Sequence, residues 1–307
     1  MIKVLYIEPL HNNKQYLYYT LLGKGLINQK NIKLTIGNSI TNYNLNYFNL
    51  IILGYGACAN SNFTSNRYIL NTNTPIIAFL FKLSLDKEKK FKFLRDNRII
   101  TFGQQYRIQE FKEKFNIKIL PTLYPFDNTI FKYLNLEKIY DIGMTGALHN
   151  SSHYNIGAYL KEEINIRKRI VNLLENTNYK KFIQCSDINN QAYIQNTNQY
   201  IKTINQTRIW IATSADYGDL TPRYSEIIGC QTLLFCNEQS NNTFSEYLKE
   251  GETCVFYKND LSDLITKIDY YLNNTKLYQK ITDKAYQIFN DNISCDNIVK
   301  KYLKYSR

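Results

Sequence analysis

W-I-A-T-S-A-D-Y-G-D-L-T-P-R-Y-S-E-I-I-G-C-Q-T-L-L-F-C, residues 210 to 236, reads as strand, loop, helix and strand. Arg208 to Thr213 is short, apolar and β-branched, which suits a buried strand. Asp216 to Leu220 is a polar loop with a glycine. Thr221 stands where a helix N-cap belongs, Pro222 at the first helical position, Glu226 a turn inside, and Gly229 where a helix stops. Gln231 to Cys236 is a second buried strand. A short helix between parallel strands brings its N-terminus to the carboxyl edge of the sheet. Free N–H groups and the helix dipole favour a phosphate there. Arg223 adds a bidentate donor, and Glu226 offers a carboxylate to a pair of sugar hydroxyls. The same residues also fit a plain capped helix carrying an Arg223–Glu226 surface pair.

On the N-terminal side the same alternation repeats. Ile2 to Ile7, Ile32 to Ile36, Leu50 to Leu53, Pro75 to Leu80, Arg98 to Phe102 and Ile117 to Leu120 read as strands. Helices are expected over Gln15 to Ile27, up to about Leu70, over Asp86 to Arg95 and over Gln104 to Phe115. The pattern predicts a parallel sheet covered on both faces. P-T-L-Y-P-F-D-N-T-I-F, residues 121 to 131, is an irregular crossing, and Lys132 to Lys138 a linker. A second sheet begins at Ile139 to Thr145. A helix follows over Glu162 to Asn176, then a strand over Lys181 to Cys185 and a helix over Asn189 to Ile204. After Cys236 come a short helix over Phe244 to Lys249, a strand over Thr253 to Tyr257, and helices over Asp260 to Tyr271, Lys276 to Phe289 and Ile293 to Tyr305.

At 307 residues with 44% hydrophobic side chains, the chain has material for two cores. Its formal net charge of +12 points to an anionic ligand, an anionic membrane surface or nucleic acid without choosing among them. The basic residues are dispersed, and no nucleic-acid motif accompanies them. Six cysteines without a C-x-x-C pair suit a reduced, cytoplasmic protein. The N-terminus opens as a strand rather than as a signal peptide, and no apolar run is long enough to span a bilayer.

R-Y-x-E-I-I-G-C-x-T-L-L-F from Arg223, F-x-E-Y-L-K-E-G-E-T-C-V-F-Y-x-N-D-L-x-D-L-I from Phe244, and Y-D-I-G-M-T-G-A-L-H from Tyr140 resemble the C-terminal half of GT-B fold glycosyltransferases, the CgeB-like and group 1 families. The resemblance implies an α/β protein of two Rossmann-like domains with an interdomain cleft. Residues 1–131 would be an acceptor domain and 138–290 a nucleotide-sugar-binding domain. Residues 291–307 would form a terminal helix packing on the first. It implies that Glu226 holds the ribose and that Thr221, Pro222 and Arg223 face the diphosphate. Gly146, Arg169 and Tyr193 complete the implied donor site, and His11 and Arg223 are the implied catalytic residues. Many relatives with a retaining outcome carry Glu-x7-Glu. The first Glu is replaced here by Gly218.

The expected activity is transfer of a sugar from a nucleotide-diphosphate donor, UDP-sugar first, to a glycan, protein or lipid acceptor, with peripheral contact to anionic lipid. No D-x-D occurs in the chain, so the transfer is expected to be metal-independent and to need no separate cofactor. The alternatives are a nucleotide-sugar epimerase or hydrolase of the same fold, and a basic nucleic-acid-binding protein. G-Y-G-A-C-A from Gly54 is an incomplete dinucleotide fingerprint and reads as a tight turn. His149 and His153, spaced i,i+4, read as loop residues rather than metal ligands. His11 follows the first strand, with Glu8 in the same loop.

Overall fold

The computed structural model describes residues 1–12, 17–59, 72–80, 93–148, 161–186, 196–214, 218–239 and 243–306. Tyr193, His149, His153 and most of the helix expected over 86–95 lie outside them. The chain divides into two compact units, Met1–Pro125 with Ser294–Arg307, and Phe126–Ile293.

In the first unit, β1 (Ile2–Ile7), β2 (Ile32–Gly37), β3 (Leu50–Leu53), β4 (Ile76–Phe79), β5 (Ile99–Gly103) and β6 (Ile119–Pro121) form one sheet. The order is β2-β1-β3-β4-β5-β6, and every pair is parallel. The inner strands β3 and β4 are apolar throughout because both faces are covered; all four side chains of each are buried. Helices α1 (Tyr18–Ile27), α2 (Tyr55–Ala59) and α3 (Ile108–Phe115) belong to this unit.

In the second unit, β7 (Tyr140–Ala147), β8 (Lys181–Ser186), β9 (Thr207–Ala212), β10 (Leu233–Asn237) and β11 (Val255–Tyr257) are ordered β11-β10-β9-β7-β8. They too are parallel. Its helices are α4 (Lys161–Glu175), α5 (Thr197–Asn205), α6 (Arg223–Gly229), α7 (Leu264–Asn273) and α8 (Thr275–Ile293). Ile142, Ile211, Leu233, Phe235 and Val255 from the sheet meet Ile166, Ile170 and Leu174 of α4 and Leu264 and Ile268 of α7 in one apolar cluster. The last helix, α9 (Cys295–Leu303), belongs to the first unit.

The alternation of strands and helices therefore yields two parallel α/β sheets. In each, the chain enters at an interior strand and reverses direction across the sheet, between β1 and β3 and between β7 and β9. Such switch points leave a crevice at the carboxyl ends of the strands, where doubly wound folds hold ligands. The short helix expected at Phe244 is absent: residues 243–247 are turns.

Candidate functional site

Around the second unit's switch point, two guanidinium groups converge on the ends of β7, β8 and β9. Arg223, the first residue of α6, donates from Nε to Thr145 Oγ1 on β7 at 3.0 Å. Arg167, on α4, donates from Nε and Nη2 to Thr213 Oγ1 after β9 at 3.0 and 2.7 Å. Its guanidinium lies against Gly146, within 3.1 Å of where a Cβ would stand. Burial pushes the Cys185 thiol at the end of β8 up, while Arg167 and Arg223 pull it down. Positive charge from two elements thus falls on one sheet edge. Asn237, ending β10, accepts from Ser214 N–H at 2.9 Å and donates to Asn259 Oδ1 at 3.3 Å. The Tyr257 hydroxyl donates to the Ala212 carbonyl at 3.1 Å, so the rim of the crevice is tied together strand by strand.

Glu226 is half-buried on α6. Burial raises its carboxyl pKa, and Arg223 and a hydrogen bond from Tyr200 oppose the rise. The Tyr200 hydroxyl, on α5, donates to Glu226 Oε2 at 3.0 Å. Arg223 therefore faces β7, and Glu226 lies toward α5.

Two expectations change. Thr221 does not cap α6 with its side chain: the residue at the cap is Pro222, in helical conformation. Thr221 contributes its carbonyl, which accepts from Tyr224 N–H at 3.2 Å, while its hydroxyl is buried without a hydrogen-bond partner. Arg169 does not join Arg223. Its Nη1 and Nη2 donate to the Asn259 and Asp260 carbonyls at 3.3 and 2.7 Å. Two residues on an α-helix are separated by roughly 200° about its axis, so Arg167 and Arg169 occupy opposite faces. Arg167, on the face of α4 opposite Arg169, is the one that reaches the switch point. Gly218, where relatives carry the first Glu of Glu-x7-Glu, has φ of 74°, a left-handed conformation that strains a glutamate.

The first unit's switch point is filled by its own acid. Glu8, with no exposed surface, follows β1 directly and accepts Gly56 N–H on Oε2 at 2.8 Å and Leu10 N–H on Oε1 at 3.0 Å. A Cβ on Gly56 would lie 2.0 Å from Glu8 Oε1. The G-x-G turn after β3 thus accommodates an internal carboxylate at the place where a dinucleotide fold receives phosphate. Burial pushes the Glu8 carboxyl up to about 7 against those two backbone donors. His11 folds over the same turn, Nδ1 lying 2.8 Å from the Glu8 carbonyl oxygen. That oxygen only accepts, so Nδ1 carries the proton and Nε2 is the ring's acceptor.

Among the described residues no three His, Cys, Asp or Glu side chains are grouped to hold a metal ion. No described helix is long and apolar enough to cross a membrane.

Residues 158–304, just under half of the chain, match the glycosyl transferase-like family model. No curated protein sequence matches. Solved structures share the fold at low identity. Sucrose-phosphate synthase from Thermosynechococcus elongatus has a TM-score of 0.63 at 9% identity, over 98% of each chain. HepE from Anabaena, in complex with UDP and glucose, has 0.56 at 11%, over 99% of this chain and all of its own. TarM has 0.51 at 14%, over 83% of this chain and 54% of TarM, so the chain spans about half the length of TarM. The chain has the fold of the GT-B class of glycosyltransferases. Within that class, its C-terminal part is similar to the glycosyl transferase-like family.

Proposed function

We propose that the chain transfers a sugar from a nucleoside diphosphate donor, UDP-linked first, to a glycan, protein or lipid acceptor, without a divalent cation. The observation that carries this reading is the convergence of Arg167 and Arg223 on one switch point, with Glu226 a turn further along α6. A diphosphate leaving group gains negative charge as the glycosidic bond breaks. Two fixed guanidinium groups favour that charge most in the transition state, in the role a bound cation would otherwise fill. The unpartnered Thr221 hydroxyl is a further group a phosphate would satisfy. Glu226 is assigned to the ribose hydroxyls. His11 Nε2 in the first unit is assigned to the acceptor hydroxyl. The HepE structures with UDP and with UDP-glucose support the donor class. A TarM structure holding UDP and α-GlcNAc-glycerol supports a glycan acceptor. Six free thiols suit a cytoplasmic setting.

The test is a panel of UDP, GDP, ADP and dTDP compounds in thermal shift, followed by donor hydrolysis and sugar transfer. A donor nucleotide at a hundred times its Kd stabilises the protein by about 2.7 kcal/mol. Arg223→Ala and Arg167→Ala are expected to lower kcat roughly ten- to a hundredfold and KM much less, with EDTA leaving turnover unchanged. Folded variants of unchanged rate and nucleotide affinity would remove the reading.

A further inference from the structure

Tyr200 is a half-buried side chain of the second unit whose hydroxyl donates to the Glu226 carboxylate rather than to the backbone. Its ring is held edge-on to Trp210 of β9, centroids 5.9 Å apart at 79°. Trp210 has no exposed surface and lies against β7, where a Cβ on Gly143 would approach its ring to 2.4 Å. The chain of contacts runs from the sheet through Trp210 and Tyr200 to Glu226. It braces the Tyr200 ring against the sheet, and the Tyr200 hydroxyl holds Glu226 Oε2. With one lone pair of Oε2 taken by Tyr200, Oε1 and the remaining lone pair of Oε2 are free to accept.

We propose that Tyr200 is a positioning residue for donor recognition, its hydroxyl fixing the Glu226 carboxylate so that the remaining acceptor sites meet the vicinal 2′- and 3′-hydroxyls of a nucleoside diphosphate. The inference rests on the donor reading above and adds a residue to it. A phenol that only satisfied its own burial would contribute to stability alike whatever the ligand. A phenol that orients the carboxylate contributes only when the ligand carries ribose hydroxyls.

The experiment compares UDP with 2′,3′-dideoxy-UDP by calorimetry on the full chain, for the unaltered protein, Tyr200→Phe and Glu226→Gln. The expected result is a loss of roughly tenfold in UDP affinity for Tyr200→Phe, with dideoxy-UDP affinity unchanged. Glu226→Gln should show the same selective loss. If Tyr200→Phe weakens both nucleotides equally or neither, while Glu226→Gln remains selective, Tyr200 is only structural and the inference is overturned with the donor reading intact. If Glu226→Gln does not discriminate either, or the unaltered protein binds neither nucleotide, the donor reading itself falls and takes the inference with it. Melting temperatures of the variants separate loss of fold from loss of affinity.

Discussion

Glu8 sets a pH dependence that belongs to one residue. Its carboxyl titrates near 7 in the folded unit because burial outweighs two backbone donors, whereas an exposed glutamate titrates near 4.3. Below the unfolded value both states are protonated and burial of the charge costs nothing. Between the two values the folded state holds a proton that the unfolded state releases, so stability falls as pH rises. Above 7 the cost is complete, of order 3 kcal/mol. Denaturant midpoints measured from pH 4 to 8 are expected to show this decline, and Glu8→Gln should remove it. An unchanged profile in the variant would refute the assignment. The acid itself was visible beside His11, and so was the incomplete G-x-G. What sequence does not display is that one explains the other, because Glu8 and Gly56 are 48 positions apart and meet only through the pairing of β1 with β3. The choice of Arg167 over Arg169 was hidden for a similar reason. Both flank the same apolar run, and only the direction in which α4 lies on its sheet decides which faces the switch point.

Between elements, α1 and α9 of the first unit cross closely, backbone against backbone. A Cβ on Gly25 would stand 2.1 Å from the Cys295 carbonyl oxygen and 2.7 Å from its carbon. These are backbone atoms that cannot rotate away. Asn28 Nδ2 donates to Asp296 Oδ1 at 2.8 Å, and Gln29 Nε2 donates to the Asp296 carbonyl at 3.0 Å, locking the crossing. Gly25→Ala is therefore expected to destabilise by about 1–3 kcal/mol or more. Gly23→Ala, whose Cβ would meet only the Tyr6 ring at 3.1 Å, should cost less, since alanine recovers up to about 1 kcal/mol of helix propensity. Urea midpoints at constant m test the order; equal losses would contradict it. The strands were legible because buried parallel strands are short, continuous apolar runs bounded by polar loops, as in Leu50–Leu53. The turn at residues 243–247 was not. Phe244, Tyr247 and Leu248 are buried at helical spacing, but Tyr247 N–H and Leu248 N–H both donate to the Phe244 carbonyl. A single turn therefore reproduces the pattern of a helix. At α6 the Thr-Pro pair marked the helix start, yet sequence did not reveal that proline's fixed φ puts Pro222 in helical conformation, leaving the Thr221 hydroxyl out of the cap.

At the scale of the molecule, the second unit is one continuous stretch, Phe126–Ile293, whereas the first is assembled from both ends of the chain. Residues 294–307 are a structural part of the first unit's core. Tyr302 has no exposed surface. Its ring stands edge-on to Phe79 and Phe102, centroids 5.1 and 4.9 Å away. Its hydroxyl is 2.7 Å from Thr122 Oγ1. Ile298 and Val299 are buried on the same helix. Removing such an element leaves an apolar face of β4 and β5 to water, and truncating the one aromatic ring typically costs about 3–5 kcal/mol. A domain's whole stability is about 5–15 kcal/mol, so loss of the helix is enough to unfold the unit. The second unit, by contrast, carries its own sheet and apolar cluster within one segment. We expect residues 126–293 expressed alone to melt in a single cooperative transition. Residues 1–125 alone should melt without one, and should regain it when residues 294–307 are joined to them by a flexible linker. Circular dichroism melts and amide dispersion in NMR spectra distinguish the cases. If residues 1–125 melt cooperatively at the same midpoint with and without the linked helix, the returning C-terminus is not part of the first unit's core.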